Sequence, residues 1–326
     1  MVRLNILVTG VGAIIGYGII NALRKTNRKL RIVGTDIYED AVGRYFCDTF
    51  IPAKRADSID YLDFLCDIIT SHQIDLVFFG TEQEIYKVSD ARRLLTDIVD
   101  RLVLNSKWAI GISKDKFKTY LFLRKHGFEA IRTRLDGSYS SLVSELGTPF
   151  LLKLRDSYAS KGIVQIDCED DYDYWKKKMG DSTMAQELIG DDENEYTCGV
   201  FVFGSAKCLP PFILRRTMNR DGATQKAVVE NIPELASEIG RLVKIFKPIG
   251  PTNFQFRLHQ GKYLLLEVNP RISSSTSIRT AFGYNEAELS IQYFLEHRDI
   301  RPPAIQYGSA IRYYADWINY EHSVDF

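Results

Sequence analysis

The first hundred or so residues alternate short apolar runs with amphipathic stripes, and no other feature limits the fold so strongly. Leu4 to Thr9 is an apolar run that stops at Gly10. Gly12, Gly16 and Gly18 follow, and then Ile19, Ile20 and Leu23 recur at helical spacing before Arg24 and Lys25. That order reads as strand, glycine turn and helix. Leu30 to Thr35, closed by Asp36, reads as a second strand, the stripe from Tyr61 to Ile69 as a helix, and Asp75 to Gly80 as a third strand. A helix over roughly 84 to 97 and a fourth strand at Leu102 to Leu104 complete the series. Strands alternating with helices on this scale predict a parallel, doubly wound α/β sheet.

The pattern then changes. Ser113 is placed to cap a helix running to His126 with Gly127 as its stop, and a second helix at about 138 to 146 ends at Gly147. Phe150 to Leu154 and Ile163 to Ile166 read as strands around a polar loop at 155 to 162. From about 182 onward the strand runs at 183 to 188, 195 to 203, 208 to 214, 251 to 258 and 262 to 268 look antiparallel. Helices at about 234 to 246 and roughly 284 to 297 accompany them. The expected architecture is an α/β region followed by an α+β region.

Composition excludes several classes of function. A chain of 326 residues suits two or three packed subdomains, and equal numbers of basic and acidic residues (42 each) give no footprint for a nucleic-acid partner. The five cysteines are scattered without a C-x-x-C pair, which argues against disulfides and zinc and fits a reducing compartment. No apolar run approaches the ~20 residues that span a bilayer, and no signal-peptide pattern opens the chain. The expectation is a soluble, cytoplasmic protein without a membrane partner.

The chemistry concentrates in Asn253-Phe-Gln-Phe-Arg257 and in the run Lys262 to Arg271, KYLLLEVNPR. Side chains alternate along a strand, so Asn253, Gln255 and Arg257 share one face while Phe254 and Phe256 take the other. Glu267 and Asn269 likewise share a face, with Arg271 just past the strand end. A three-residue loop at 260 to 262 would pair Gln255 opposite Glu267 and bring amide and carboxylate oxygens together, a donor set suited to Mg²⁺. Leu264 and Leu266 are placed on the face opposite Glu267, so that the strand is buried on both sides and the carboxylate needs a cation. A plain surface hairpin is the alternative.

The run "NFQF…LLLEVNPR" resembles the metal-binding hairpin of ATP-grasp enzymes. Its Gln/Glu/Asn version is most similar to carbamoyl-phosphate synthase large subunits, with biotin carboxylase and D-alanine–D-alanine ligase more distant. The resemblance extends over 113 to about 297, and the parallel sheet before it resembles the family's pre-ATP-grasp domain. It implies a pre-ATP-grasp Rossmann-like domain at 1–110, a small subdomain at 111–188 and a large subdomain with a C-terminal extension at 189–326.

Carried over residue by residue, the resemblance implies that Lys116 and Lys153 touch nucleotide phosphates and that Gln186, Glu187 and Ile189 belong to the strand holding adenine. It places Glu195 on the ribose hydroxyls, although Asp191, Asp192 and Glu193 around it also fit a solvated acidic loop. The loop RDSYASKG stands where the family has a glycine-rich lid but carries one glycine, with Lys161 adding charge. Arg215 or Arg216 faces the γ-phosphate and acyl oxygen, Arg271 the transferred phosphoryl group, and Gln255, Glu267 and Asn269 hold Mg²⁺ or Mn²⁺. The implied reaction consumes ATP: a small-molecule carboxylate is phosphorylated, and an amine, or a thiol, takes the acyl group, leaving ADP and phosphate. A homodimer is the family's habit. One such unit does not suffice for full carbamoyl-phosphate synthesis, while phosphorylation of bicarbonate or carbamate stays open.

Two rival readings remain at this level. Gly10, Gly12, Gly16 and Gly18 followed by Asp36 fit a dinucleotide fingerprint, which would make the protein an NAD(P)-dependent oxidoreductase. No Tyr-x-x-x-Lys pair stands in the expected region, and in pre-ATP-grasp domains such glycines allow tight packing beside a loop facing the co-substrate. Glu82 and Glu84 point to the same co-substrate region. The other rival is a non-catalytic ATP-binding sensor.

Overall fold

The computed structural model describes residues 3–156, 162–219 and 222–318. Lys161 and the rest of 157–161, most of the expected lid loop, lie outside the described residues.

The first unit runs β1 (Leu4–Thr9), α1 (Ile14–Arg24), β2 (Leu30–Asp36), β3 (Thr49–Pro52), α2 (Tyr61–Ser71), β4 (Leu76–Phe78) and α3 (Glu82–Asp90). Its strands form a parallel sheet in the order β3-β2-β1-β4. Alternation along β1 explains why both faces are covered: Ile6 and Val8 pack with Ile19, Ile20 and Leu23 of α1, and Leu7 packs with Tyr61, Leu65 and Ile69 of α2. The strand β3 is short and half-exposed, and the sequence pattern missed it. The strand expected at 102 to 104 is only a single parallel bridge, Val77 to Leu102.

Next come α4 (Lys107–Ser113) and α5 (Lys116–Lys125). Ser113 ends α4 rather than capping the next helix, and residue 110, the expected domain boundary, lies inside α4. The N-cap of α5 is Asp115, whose carboxylate accepts from the Phe117 and Lys118 N–H groups at 2.9 and 3.2 Å, a charge-assisted cap a serine cannot match. Helix α6 (Tyr139–Leu146) is capped by Ser138 and closed by Gly147 at φ +82°, as the sequence pattern indicates.

A second sheet contains β5 (Thr133–Arg134), β6 (Phe150–Leu154), β7 (Ile163–Ile166) and β8 (Thr183–Glu187) in the antiparallel order β5-β8-β6-β7. Helices α6 and α7 (Glu169–Met179) cover one face through Leu142, Leu146 and Tyr172. Few apolar residues mark α7. Its signal is charge: acids fill the first turn and lysines the last, matching the helix dipole.

The third sheet has β9 (Glu195–Val202), β10 (Phe212–Met218), β11 (Thr224–Glu230), β12 (Gly250–His259), β13 (Lys262–Asn269) and β14 (Ser309–Ile311), in the antiparallel order β13-β12-β9-β10-β11-β14. The strand expected at 208 to 214 starts at Phe212, because Pro210 and Pro211 cannot donate to a ladder. Helix α8 (Pro233–Phe246) lays Leu235, Ile239, Leu242, Val243 and Phe246 on Cys198, Val200, Phe254 and Phe256. Burying those five side chains contributes on the order of 10 kcal/mol. The helix expected at 284 to 297 is α10 (Glu286–Ser290) running into a π turn at Ile291–Leu295, and a further short helix, α9 (Thr276–Ala281), precedes it. Arg28 binds Glu288 and Glu296 at 2.7 and 2.5 Å and ties the first sheet's helices to this unit.

Candidate active site

The hairpin β12–β13 turns through two residues, Gln260 and Gly261, with φ of +49° and +77°. The expected three-residue loop is not there. With His259 opposite Lys262, a regular ladder would set Gln255 against Leu266. A β-bulge instead leaves Leu266 as an extra residue: Phe256 pairs with Leu265, and Gln255 pairs with Glu267. The expected juxtaposition therefore holds for a different reason. The bulge also lets Leu266 and Glu267 both project into one cleft, while Leu265 and Val268 enter the core under α8. Leu264 and Leu266 pack with Ile131 and Ile189, so they share the cleft side with Glu267 rather than opposing it.

This cleft, of about 900 Å³, draws walls from all three sheets. The second sheet and its neighbours contribute an apolar wall that includes Ile131, Leu151, Ile163, Met184, Leu188 and Ile189. Gln186 and Glu187 border it at the end of β8, with Glu187 held by Arg132 at 2.6 Å. The third sheet supplies Glu195, Arg216, Gln255, Arg257, Glu267 and Arg271, and Lys116 and Lys153 join them. The first sheet closes the far wall with Ala13, Ile14, Ile15, Tyr38, Thr81 and Glu82.

Charges in the cleft are interlocked. Glu195 is buried and accepts from Arg216 Nη2 and Arg257 Nη2, one on each oxygen, both at 2.7 Å. It is not a solvated loop acid. Arg216 Nη2 also donates to Gln255 Oε1 at 2.8 Å, and Nη1 to Thr224 at 3.1 Å. Burial alone would raise the Glu267 carboxyl, but Lys116, the Asn269 amide at 2.9 Å, Arg271 and Arg216 together hold it below the usual range. Lys153 donates to Gln186 Oε1 at 2.7 Å. Burial pushes its ammonium down to about 8, with Lys116 and Arg257 acting in the same direction against Glu267 and Glu195.

Several expected residues fall elsewhere. Arg215 alternates with Arg216, so it faces away from the cleft and pairs with Glu230 at 2.6 Å. Gly10, Gly12 and Gly16 do not line the cleft, which the loop meets through Ala13 to Ile15. They allow close packing instead: Gly10 has φ +56°, and a Cβ on Gly16 would overlap the Gly10 carbonyl. Glu84 turns inward, accepting from Thr9, Thr81 and Tyr61 at 2.6, 2.7 and 3.0 Å, and its role is to brace β1, α2 and α3. Asn269 reaches the cleft only through its bond to Glu267. Conversely, Arg257 was not assigned a role from sequence; its sharing a face with Gln255 was the available signal.

Among the described residues no group of three or more His, Cys, Asp or Glu could hold a metal. Glu267 instead brings one carboxylate into the cleft and Gln255, its partner across the ladder, one amide oxygen, hard donors that would suit Mg²⁺ or Mn²⁺ completed by waters and phosphate oxygens.

Residues 192–317 match a family described as "ATP-grasp in the biosynthetic pathway with Ter operon". No curated protein sequence matches the chain. Among solved structures, an N5-carboxyaminoimidazole synthetase from Staphylococcus aureus complexed with ADP is 18% identical over 94% of this chain and 81% of that one, with a TM-score of 0.71. A biotin carboxylase from Campylobacter jejuni in a β-γ-ATP complex is 16% identical, covering 94% and 74%, at a TM-score of 0.74. An L-amino acid ligase from Bacillus licheniformis is 15% identical, covering 90% and 74%, at 0.68.

The chain has the ATP-grasp fold.

Within that ATP-grasp fold, the cleft lies where the two antiparallel sheets and the first, parallel sheet meet. The dinucleotide reading of the glycine loop loses its support there, since Asp36 is already engaged. Its Oδ2 accepts from the Gly12 N–H at 2.8 Å and its Oδ1 from the Tyr38 N–H at 3.0 Å, so the carboxylate fastens the loop instead of facing a ribose.

Proposed function

We propose that the protein is an ATP-dependent ligase that converts a small-molecule carboxylate to its acyl phosphate and passes the acyl group to an amine or thiol. One observation carries this reading: Lys116, Lys153, Arg216 and Arg271 converge on the cleft beside the ionised carboxylate of Glu267, the two arginines steadied by Glu195 and Glu82. Lysines and arginines gathered beside an ionised acid suit a polyphosphate bound together with a divalent ion.

The apolar wall by Ile131, Met184 and Ile189 receives the base, with backbone groups of 186 to 189 at its edge. Glu195 keeps acceptor capacity for ribose hydroxyls beyond its two arginines. Glu267 and Gln255 would hold Mg²⁺ or Mn²⁺, with Asn269 orienting the Glu267 carboxylate. The bound ion would neutralise phosphate charge. Lys153 and Lys116 fix the phosphates, and Arg216 and Arg271 spread the charge that develops as a substrate carboxylate oxygen attacks the γ-phosphorus and its bond to ADP breaks. The amine nitrogen or thiol sulfur then attacks the acyl carbon and phosphate leaves. The reaction works by positioning and electrostatics, and needs no nucleophile from the protein.

A cytoplasmic setting, a homodimer and division of the chain near 110 and 188 belong to the same proposal. No helix among the described residues is long and apolar enough to cross a membrane. The test is ADP release from Mg-ATP with small carboxylates and an amine. Wild type releases ADP in response to at least one carboxylate, and Glu267→Ala lowers that turnover by about 10²–10³-fold with the fold retained. Unchanged turnover in the variant removes the metal assignment. Tight ATP binding without carboxylate-stimulated ADP release supports a sensor instead.

A further inference from the structure

Glu82 opens α3 beside the first sheet, Arg271 follows β13 in the third, and the two meet across the cleft. Arg271 Nη2 and Nε donate to the same oxygen of Glu82, Oε1, at 2.6 and 3.1 Å. Among the described residues Glu82 Oε2 makes no hydrogen bond, so the pair is a one-oxygen contact rather than a closed fork. Both side chains are mostly removed from solvent, at 13% and 15% exposure, yet both line the cleft. Arg271 is also near enough to Glu267 to lower its carboxyl, so this pair adjoins the phosphate-binding charges.

A ligand entering here meets an acid and a base that already neutralise each other. A simple carboxylate that takes Arg271 leaves Glu82 in a crevice without its counter-charge, and breaking a sheltered pair from one side is strongly unfavourable. A zwitterion supplies both replacements. Its carboxylate engages Arg271 and its ammonium engages Glu82, using the oxygen that is free now. Beyond the pair, the first sheet's wall offers Ala13, Ile14 and Ile15, an apolar surface with no charge.

We propose, resting on the ligase reading above, that the activated carboxylate belongs to an α-amino acid with an apolar side chain, whose ammonium is held by Glu82 while Arg271 orients its carboxylate. Glu82 is then the specificity-determining residue. Its effect is confined to the acid substrate, since it lies on the wall opposite the apolar surface assigned to the base.

The test uses the full chain with Mg-ATP and hydroxylamine, which traps acyl phosphates as hydroxamates regardless of the natural nucleophile. L-alanine, L-valine, L-leucine, L-methionine and L-phenylalanine are each compared with the acid lacking the amino group. At least one of the five yields hydroxamate with a kcat/KM about 30-fold or more above its deamino counterpart, the range of a hydrogen bond to a charged group. Glu82→Gln erases that preference and Glu82→Asp keeps part of it, while both bind ATP as tightly as wild type, which also verifies their folding. The proposal falls if the deamino acids serve equally well, if none of the five amino acids reacts, or if Glu82→Gln keeps the preference. If the wild type does not bind ATP at all, the ligase reading falls first. If ATP binds and acetate or bicarbonate is phosphorylated while the amino acids are not, only the zwitterion assignment is lost.

Discussion

At Lys153 two physical demands oppose each other: β6 carries it into an apolar strand, and the cleft needs it charged. Burial pushes its ammonium down to about 8, far below an exposed lysine. Without nucleotide it is therefore charged below about pH 8 and loses its proton above that. A bound triphosphate favours the charged form, so ATP affinity should stay level up to about pH 8 and weaken as pH rises further, with proton uptake on binding above that point. Calorimetric titrations between pH 7 and 9.5 in buffers of different ionisation enthalpy check this; pH-independent affinity with no uptake contradicts it. Lys153→Ala should weaken ATP by roughly 10- to 100-fold, the cost of losing a charge-assisted contact. Lys153 and Glu267 were legible from single positions, because a charge inside an apolar strand pattern is expensive wherever the strand ends up. Glu84, expected at the co-substrate side because it follows the third strand, turns inward instead, since hydroxyls of Thr9, Tyr61 and Thr81 satisfy it.

The hairpin β12–β13 shows what an element can and cannot declare in advance. Face alternation in "NFQFR" and "EVNPR" is local, so the grouping of Gln255 with Arg257, and of Glu267 with Asn269, could be read directly. The bulge at Leu266 could not, because it depends on how the ladder meets the two-residue turn. Arg215 and Arg216 illustrate the same limit: alternation says they face opposite ways, but only the packing of α8 says which faces out of the cleft. The turn yields a direct prediction. Its positive φ at both central residues is the type I′ geometry that favours Asn-Gly. Gln260→Asn should therefore stabilise the protein by about 0.5 kcal/mol, and Gly261→Val should destabilise it by about 1–2 kcal/mol. Urea midpoints measure both; if Gly261→Val were neutral, the turn would not be the one described.

Because the cleft is walled by three sheets, nucleotide should act on the molecule as a whole. Mg-ATP at about 100 times its Kd is worth ~2.7 kcal/mol of stability, which for a chain of this size raises the Tm by roughly 5 °C. Thermal scans with and without Mg²⁺ test it, and an identical rise with ATP alone would argue against the Glu267 metal site. Other contacts join the units independently of ligand: the Arg28 clamp, Asn105 on Thr252 at 2.9 Å, and Trp317 stacked on Tyr45 at 5.2 Å. None of these was visible in the chain, since each pairs residues far apart in sequence. By itself the sequence determined the order and kind of most elements and the parallel-then-antiparallel layout, because periodicity and strand parity are properties of neighbouring residues, while the candidate site residues came from its resemblance to ATP-grasp enzymes. Only the tertiary structure decided that Glu82 meets Arg271, that Asp36 fastens the glycine loop and that Glu195 sits between two arginines. Those outcomes depend on which surfaces the packed cores bring face to face, and no local pattern encodes that.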